Sequence, residues 1–278
     1  MRKTVLFTFA ALLTSAAVAQ TGEITSARGE NWLSQDGDWG LTFDANPLLN
    51  YAGNLFNGNT GNSIGSGLTW ANPWFAIQGK KMVAADKAYR AKLRIGFNSF
   101  KETALVTQSG QSDPAVTVED THKASDFNLV LGVGMEKRVG STRVVGVYGA
   151  EAYIALGTHK DSYEYGNPLA DDNTVNAPQF DQATGVTEAK AGSTFGFGVA
   201  GFIGVEWFCA PKISLSGEYT WGLMLSSTGF GETTTESWDA VDSSVETTTV
   251  EGPTGKEFNF GIDTGVTGAN VGINFYFQ

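Results

Sequence analysis

The chain has 278 residues, 41% hydrophobic side chains, 12% aromatics, 35 glycines and a formal net charge of −11. That acid surplus argues against a nucleic-acid partner. After the first twenty residues no segment approaches eighteen consecutive apolar residues, which excludes membrane-spanning helices.

Residues 1–19 read as an export signal. Arg2 and Lys3 form the charged start, Val5 to Leu13 are mostly apolar, and Ala17-Val18-Ala19 is an A-x-A cleavage site. Sec export with a mature start at Gln20 is expected. The absence of a cysteine beside the cleavage point excludes a lipoprotein signal. Cleavage leaves 16 basic against 29 acidic side chains, a net −13. Residues 20–36 form a short segment ahead of the first strand. Its apolar pair, Trp32 and Leu33, suits the base of a barrel, a partner or an interfacial girdle.

From residue 37 onward the chain shows eight stretches of period-2 hydrophobicity. The first, Asp38 to Ala45, is short and presents Trp39, Leu41 and Phe43 on one face. The second, near Leu68 to Met82, is interrupted by Pro73, which suggests a bulge. The third, Tyr89 to Phe100, is the clearest. Tyr89, Ala91, Leu93, Ile95 and Phe97 oppose Arg90, Lys92, Arg94, Gly96 and Asn98. In the fourth, Phe127 to Arg138, Phe127, Leu129, Leu131, Val133 and Met135 share the apolar face. The fifth, Arg143 to about Gly157, sets Tyr148, Ile154 and Leu156 against Gly149, Glu151 and Tyr153. The sixth, Thr194 to Phe208, alternates large apolar residues with Gly196, Gly198, Gly204 and Glu206. The seventh, Lys212 to about Ser226, opposes Leu215, Tyr219 and Trp221 to Ser214, Ser216 and Glu218. The last carries Val271, Ile273, Phe275 and Phe277 on one face.

Short gaps near residues 83–87, 139–142 and 209–211 alternate with long ones near 46–67, 103–125, 158–192 and 227–256. This rhythm predicts an all-β fold over residues 37–278: a transmembrane, antiparallel, up-and-down β-barrel of eight strands. Long loops are extracellular, short turns are periplasmic, and an even strand count leaves both termini periplasmic. Ten strands remain open, because Thr233 to Glu251 in the fourth loop is rich in Thr and Val and suits a hidden hairpin.

Residues 204–219, Gly-Val-Glu-Trp-Phe-Cys-Ala-Pro-Lys-Ile-Ser-Leu-Ser-Gly-Glu-Tyr, resemble the penultimate hairpin of Bacteroidota-type outer-membrane β-barrel proteins. Gly272-Ile-Asn-Phe-Tyr-Phe277 is similar to that family's last strand, although the chain ends on Gln278 rather than on the aromatic. The resemblance covers the barrel. It implies an outer-membrane location and no shared catalytic motif.

A barrel of eight strands is narrow and is filled by its own side chains. The inward set comprises Arg90, Lys92 and Arg94 with Glu136, Glu151, Glu206 and Glu218. Opposite charges confined there should pair into a plug; a gated solute path is the alternative. The only histidines, His122 and His159, fall at loop–strand junctions with Ser125, Asp126, Asp161 and Ser162 nearby, the residue types of an activated nucleophile. A polar rim of no catalytic consequence is the simpler reading, and no enzyme activity is expected. No cofactor or metal is expected either, since Asp171 with Asp172, and Asp239 with Asp242, lack a calcium-loop spacing. Cys209, the sole cysteine, reads as a free thiol at a turn.

The fourth loop carries Glu232, Glu236, Asp239, Asp242, Glu246 and Glu251 with no basic residue before Lys256. The third is acidic too. Basic residues gather at the short turns: Lys80, Lys81, Lys87, Lys137, Arg138, Arg143 and Lys212. The first loop, residues 50–62, is uncharged, with Leu55 and Phe56 as apolar anchors. The expected partners are outer-membrane lipid, lipopolysaccharide through bridging cations, and other proteins of the envelope. The expected role is structural or interactive, as an accessory subunit of an envelope assembly. A small solute channel and a rim enzyme acting on lipid are the alternatives.

Overall fold

A computed structural model describes residues 24–45, 77–252, 255–262 and 268–278. The export signal, the first-loop anchors Leu55 and Phe56, and the irregularity at Pro73 lie outside the described residues. In chain order the strands are β1 (Trp39–Asp44), β2 (Ile77–Ala84), β3 (Lys87–Thr107), β4 (Thr117–Val139), β5 (Val144–Glu164) and β6 (Val186–Lys190). They continue with β7 (Thr194–Ala210), β8 (Ile213–Thr228), β9 (Glu232–Asp239), β10 (Ser244–Glu251), β11 (Glu257–Ile262) and β12 (Gly268–Phe277). There is no helix among the described residues.

Eight strands close a ring in the order β1–β2–β3–β4–β5–β7–β8–β12, every pair antiparallel. Closure falls between the first and last strands, where Trp39 lies opposite Phe277 and Phe43 opposite Ile273. Alternation of side chains decides which face turns inward. On β7, Phe195, Phe197, Val199, Ile203, Val205 and Trp207 are exposed on the outer wall, while Gly196, Ala200, Phe202, Glu206 and Phe208 are buried. Inward glycines make room for the large lumen residues. A Cβ at Gly149 would meet the Phe202 ring at 2.7 Å, and one at Gly132 the Tyr153 ring at 2.8 Å.

The short gaps are tight turns, with Ala85 and Asp86 between β2 and β3 and Pro211 and Lys212 between β7 and β8. Cys209 is a free, exposed thiol at the irregularity just before the second of these.

The long gaps differ from the sequence reading. β3 and β4 stay paired without a break from Lys87–Lys137 to Thr107–Thr117, so most of the expected 103–125 loop is a two-stranded arm. β5 runs on to Glu164, where β6 docks on it; β9 pairs with β6, and β10 with β9. The hidden hairpin of the fourth loop therefore exists, but it extends a side sheet and does not enter the ring. The reason is physical. Above the barrel both faces of a strand meet solvent, so the alternation that marks a one-sided strand disappears from the sequence.

Residues ahead of β1 cap the turn end. Trp32 and Leu33 pack against a buried cluster of Met82, Ala88, Val145, Phe208 and Tyr276. The Trp32 carbonyl accepts from the Lys212 amide at 3.0 Å, and the Arg143 guanidinium lies 4.8 Å from the Trp32 ring centre. Asp38, fully buried, pairs with the Lys212 ammonium. Of the three places open to Trp32 and Leu33, they occupy the barrel's base.

Candidate functional site

The lumen at the turn end holds four cations and four anions: Lys80, Arg90, Lys92 and Arg138 with Glu136, Glu151, Glu206 and Glu218. They come from six different strands, each delivered by inward parity. Glu136 on β4 is the hub. It sits 2.9 Å from Lys80, 2.9 Å from Arg138 and 3.6 Å from Arg90. Glu206 takes Arg138 at 3.0 Å and Lys80 at 3.7 Å. Arg90 reaches Glu151 and Glu218, both at 2.9 Å, and Lys92 meets Glu151 at 2.7 Å.

Neutral groups complete the layer. The Tyr276 hydroxyl donates to Glu206 at 2.8 Å and accepts from Arg138 at 3.0 Å. Ser214 also donates to Glu206, and the Tyr153 hydroxyl to Glu151. The Arg90 guanidinium lies flat on Phe202, 3.8 Å from its ring centre, and donates to Gln78 at 2.6 Å. Seven of the eight charged residues are buried, and Glu218 is partly buried at the upper edge. Taking one such charge out of water costs several kcal/mol, roughly, unless partners compensate it. Equal numbers of each sign, interleaved, are what makes this layer tolerable.

Six of the seven lumen residues named from sequence meet here: Arg90, Lys92, Glu136, Glu151, Glu206 and Glu218. The seventh is Arg94. It lies higher on β3, half-buried, in the wall of a cavity of about 560 Å³. Asp126, Asn128, Val130, His159, Thr194 and Met224 also line it. Sequence reading named Lys80 and Arg138 only among the basic residues toward the turns and did not count them in the inward set. Both point into the lumen at 3% and 5% exposure. Arg138 shares its face with Glu136 two residues earlier, so parity was the available signal, masked by the neighbouring Lys137. Tyr276 and Gln78 were missed for want of charge, and Ser214, read on the polar face of its strand, was not counted in the site.

The two histidines come together at the loop end, His122 on β4 opposite Tyr163 and His159 on β5 opposite Asp126, with Asp161 between them. His122 bonds Glu102 through Nδ1 and Asp161 through Nε2, both at 2.9 Å. His159 bonds Asp126 through Nδ1 at 2.7 Å and the other Asp161 oxygen through Nε2 at 2.9 Å. Five side chains thus alternate as Glu102–His122–Asp161–His159–Asp126. At His122, burial works against the charged ring, but the bonds to Glu102 and Asp161 outweigh it and raise the pKa. At His159 the bond to Asp126 leads, with Asp161 adding to it, and the pKa is again raised. Each ring nitrogen faces a carboxylate rather than Ser125 or Ser162, so neither hydroxyl has its base. His122 also stacks on Tyr163, 4.7 Å between ring centres. No group of three or more His, Cys, Asp or Glu side chains is arranged to hold a metal ion among the described residues.

The outer wall is an apolar belt. Phe97, Val133 and Ile203 are 73%, 66% and 65% exposed. Near the turns it carries Trp39, Tyr89, Tyr148 and Trp207, with Lys81 over the Trp39 ring at 4.4 Å and Lys87 over the Tyr89 ring at 5.4 Å.

No family model, no curated protein and no solved structure matches this chain.

Proposed function

We propose that this protein is an outer-membrane β-barrel whose lumen is closed and whose work is structural or interactive, done on its long-loop side. The observation that carries this is the neutral, buried four-by-four charge layer. A conducting pore needs a wet path, and eight charged side chains interlocked with Tyr276, Phe202 and the Trp32 cap argue against one at the turn end.

Placement in a bilayer is supported by the apolar belt. On β7 it runs from Phe195 to Trp207, about 40 Å along the strand at roughly 3.3 Å per residue. At a tilt of about 40° this covers about 30 Å, the thickness of a hydrocarbon core. The aromatic and lysine ring near the turns suits a headgroup interface, the resemblance of residues 204–219 to Bacteroidota-type outer-membrane barrels fits it, and the export signal read at residues 1–19 supplies the route. The short turns are then periplasmic and the β3–β4 arm and side sheet extracellular, consistent with an accessory subunit of an envelope assembly.

Single-channel recording in planar bilayers tests the closed lumen. The expected trace is flat; a stable conductance in the nanosiemens range sinks the proposal. A gated solute path is the second reading, favoured by the 560 Å³ cavity above the plug. It requires solute-dependent opening in the same recordings.

A further inference from the structure

The side sheet β5–β6–β9–β10 ends on β10, which pairs with β9 and with nothing else among the described residues. All eight residues of β10 are exposed. The strand is nonetheless firmly built. It is in register with β9 from Ser244–Asp239 to Glu251–Glu232, and Thr234 and Thr249 share a hydrogen bond at 3.0 Å. The Asp239 carboxylate accepts from the Val241 and Asp242 amides to fix the turn, and Trp238 donates to Asp171 at 2.9 Å, tying the hairpin to the loop after β5.

Natural edge strands are usually blunted by lysine, proline, a bulge or a cover, because a row of unpaired amides and carbonyls recruits another strand. Ser-Val-Glu-Thr-Thr-Thr-Val-Glu, residues 244–251, has no lysine, proline or glycine and is rich in β-branched residues. Its β9 pairing has no register shift. Charge is its only guard, and that charge has one sign. Glu232, Glu236, Asp239, Asp242, Glu246 and Glu251 crowd the hairpin, with no basic residue between positions 231 and 255. The nearest cation, Lys190 on β6, is held by Glu188 at 2.7 Å and Glu232 at 3.7 Å.

We infer that β10 is a docking edge that takes an extended, basic segment of a partner protein as a fifth strand of the side sheet. Backbone hydrogen bonds of β-augmentation supply the affinity, and lysines or arginines alternating with small or β-branched residues supply the selection. A second copy of this chain is disfavoured at the same edge, because it would set two acidic hairpins side by side, and like charges across a ladder destabilise it. The inference rests on the reading that the side sheet stands outside the membrane.

The test uses the full-length barrel in lipid nanodiscs and the peptide Lys-Val-Lys-Thr-Lys-Val-Lys-Thr. Failure of the barrel to enter nanodiscs would overturn the membrane reading; an inserted barrel that ignores the peptide overturns the docking edge alone. The expected result is binding that weakens at least about tenfold when alternate peptide amides are N-methylated, as loss of several backbone hydrogen bonds requires. The all-D peptide should weaken similarly. Equal binding of the L and D forms would mean charge attraction without a strand and would overturn the proposal. Glu246→Lys with Glu251→Lys, which keeps the strand, should reduce affinity for the basic peptide and favour its Glu-for-Lys counterpart. Concentration-dependent dimers that the basic peptide fails to disperse would assign the edge to a second copy instead.

Discussion

The two ends of the same strands solve opposite problems. At the turn end β3, β4 and β5 place Arg90, Lys92, Glu136, Arg138 and Glu151 in a buried part of the lumen, where charge is tolerated only because it is matched. At the loop end those strands run into solvent, and Glu102, Asp126 and Asp161, like Glu188 on β6, sit in water with partners that matter far less. The lesson is that a carboxylate has a different energetic meaning about 33 Å further along one strand, from Glu151 to Asp161 on β5, by a rise of roughly 3.3 Å per residue. Glu136 holds the lumen layer together; Glu188 decorates the side sheet.

The largest test of the contrast is Glu136→Ala. It strands Lys80, Arg90 and Arg138 without their hub, and urea unfolding of the refolded barrel should register a loss of about 3–5 kcal/mol. A loss below about 1 kcal/mol would mean that water reaches the plug. Trp32→Ala strips the cap from the base cluster while leaving the charges in place. It should cost about 1–2 kcal/mol by the same measurement, and an unchanged stability would show that the N-terminal segment is an ornament.

The histidine chain comes next and gives a sign as well as a size. Both imidazoles have raised pKa values in the folded state, so their contribution is complete below the unfolded value of about 6.5 and is lost as pH rises through the folded values. Amide hydrogen exchange in the upper β4–β5 ladder, corrected for the intrinsic rate, should lose protection over that window. Glu102→Gln should shift the His122 titration downward in NMR, and no shift would break the assignment. Protection in the lumen half should not follow this transition. Smallest is Glu188→Gln, which removes the exposed pairs with Lys160 and Lys190 and should change stability by no more than about 0.5 kcal/mol. A larger loss would mean that the side sheet is coupled to the ring.

Much of the barrel was legible because half-buried strands write their orientation in every second residue. Strands β3, β4, β5, β7 and β8 were all placed to within a few residues at their turn ends, and Arg90, Lys92, Glu136, Glu151, Glu206 and Glu218 share the plug. The loop ends were not legible. From Ser99 to Thr107 and from Thr117 to Asp126 polar residues occupy both faces, so a 21-residue strand reads as a strand with a loop attached. Lys80 and Arg138 were left out of the inward set for a related reason: basic residues cluster near the turns, and that cluster masked the alternation that turns these two toward Glu136 and Glu206.

The sequence alone therefore determined the antiparallel pairing of the ring and its inside and outside, with eight strands or ten left open, because period-2 burial is a local property of each strand. Tertiary structure alone decided which lumen charges meet, that Asp161 joins His122 to His159, and that the fourth-loop hairpin stacks on β6 instead of entering the wall. Apart from His159 and Asp161, which are two positions apart, those outcomes depend on distances between residues 20 to about 140 positions apart in the chain, and no local pattern encodes them.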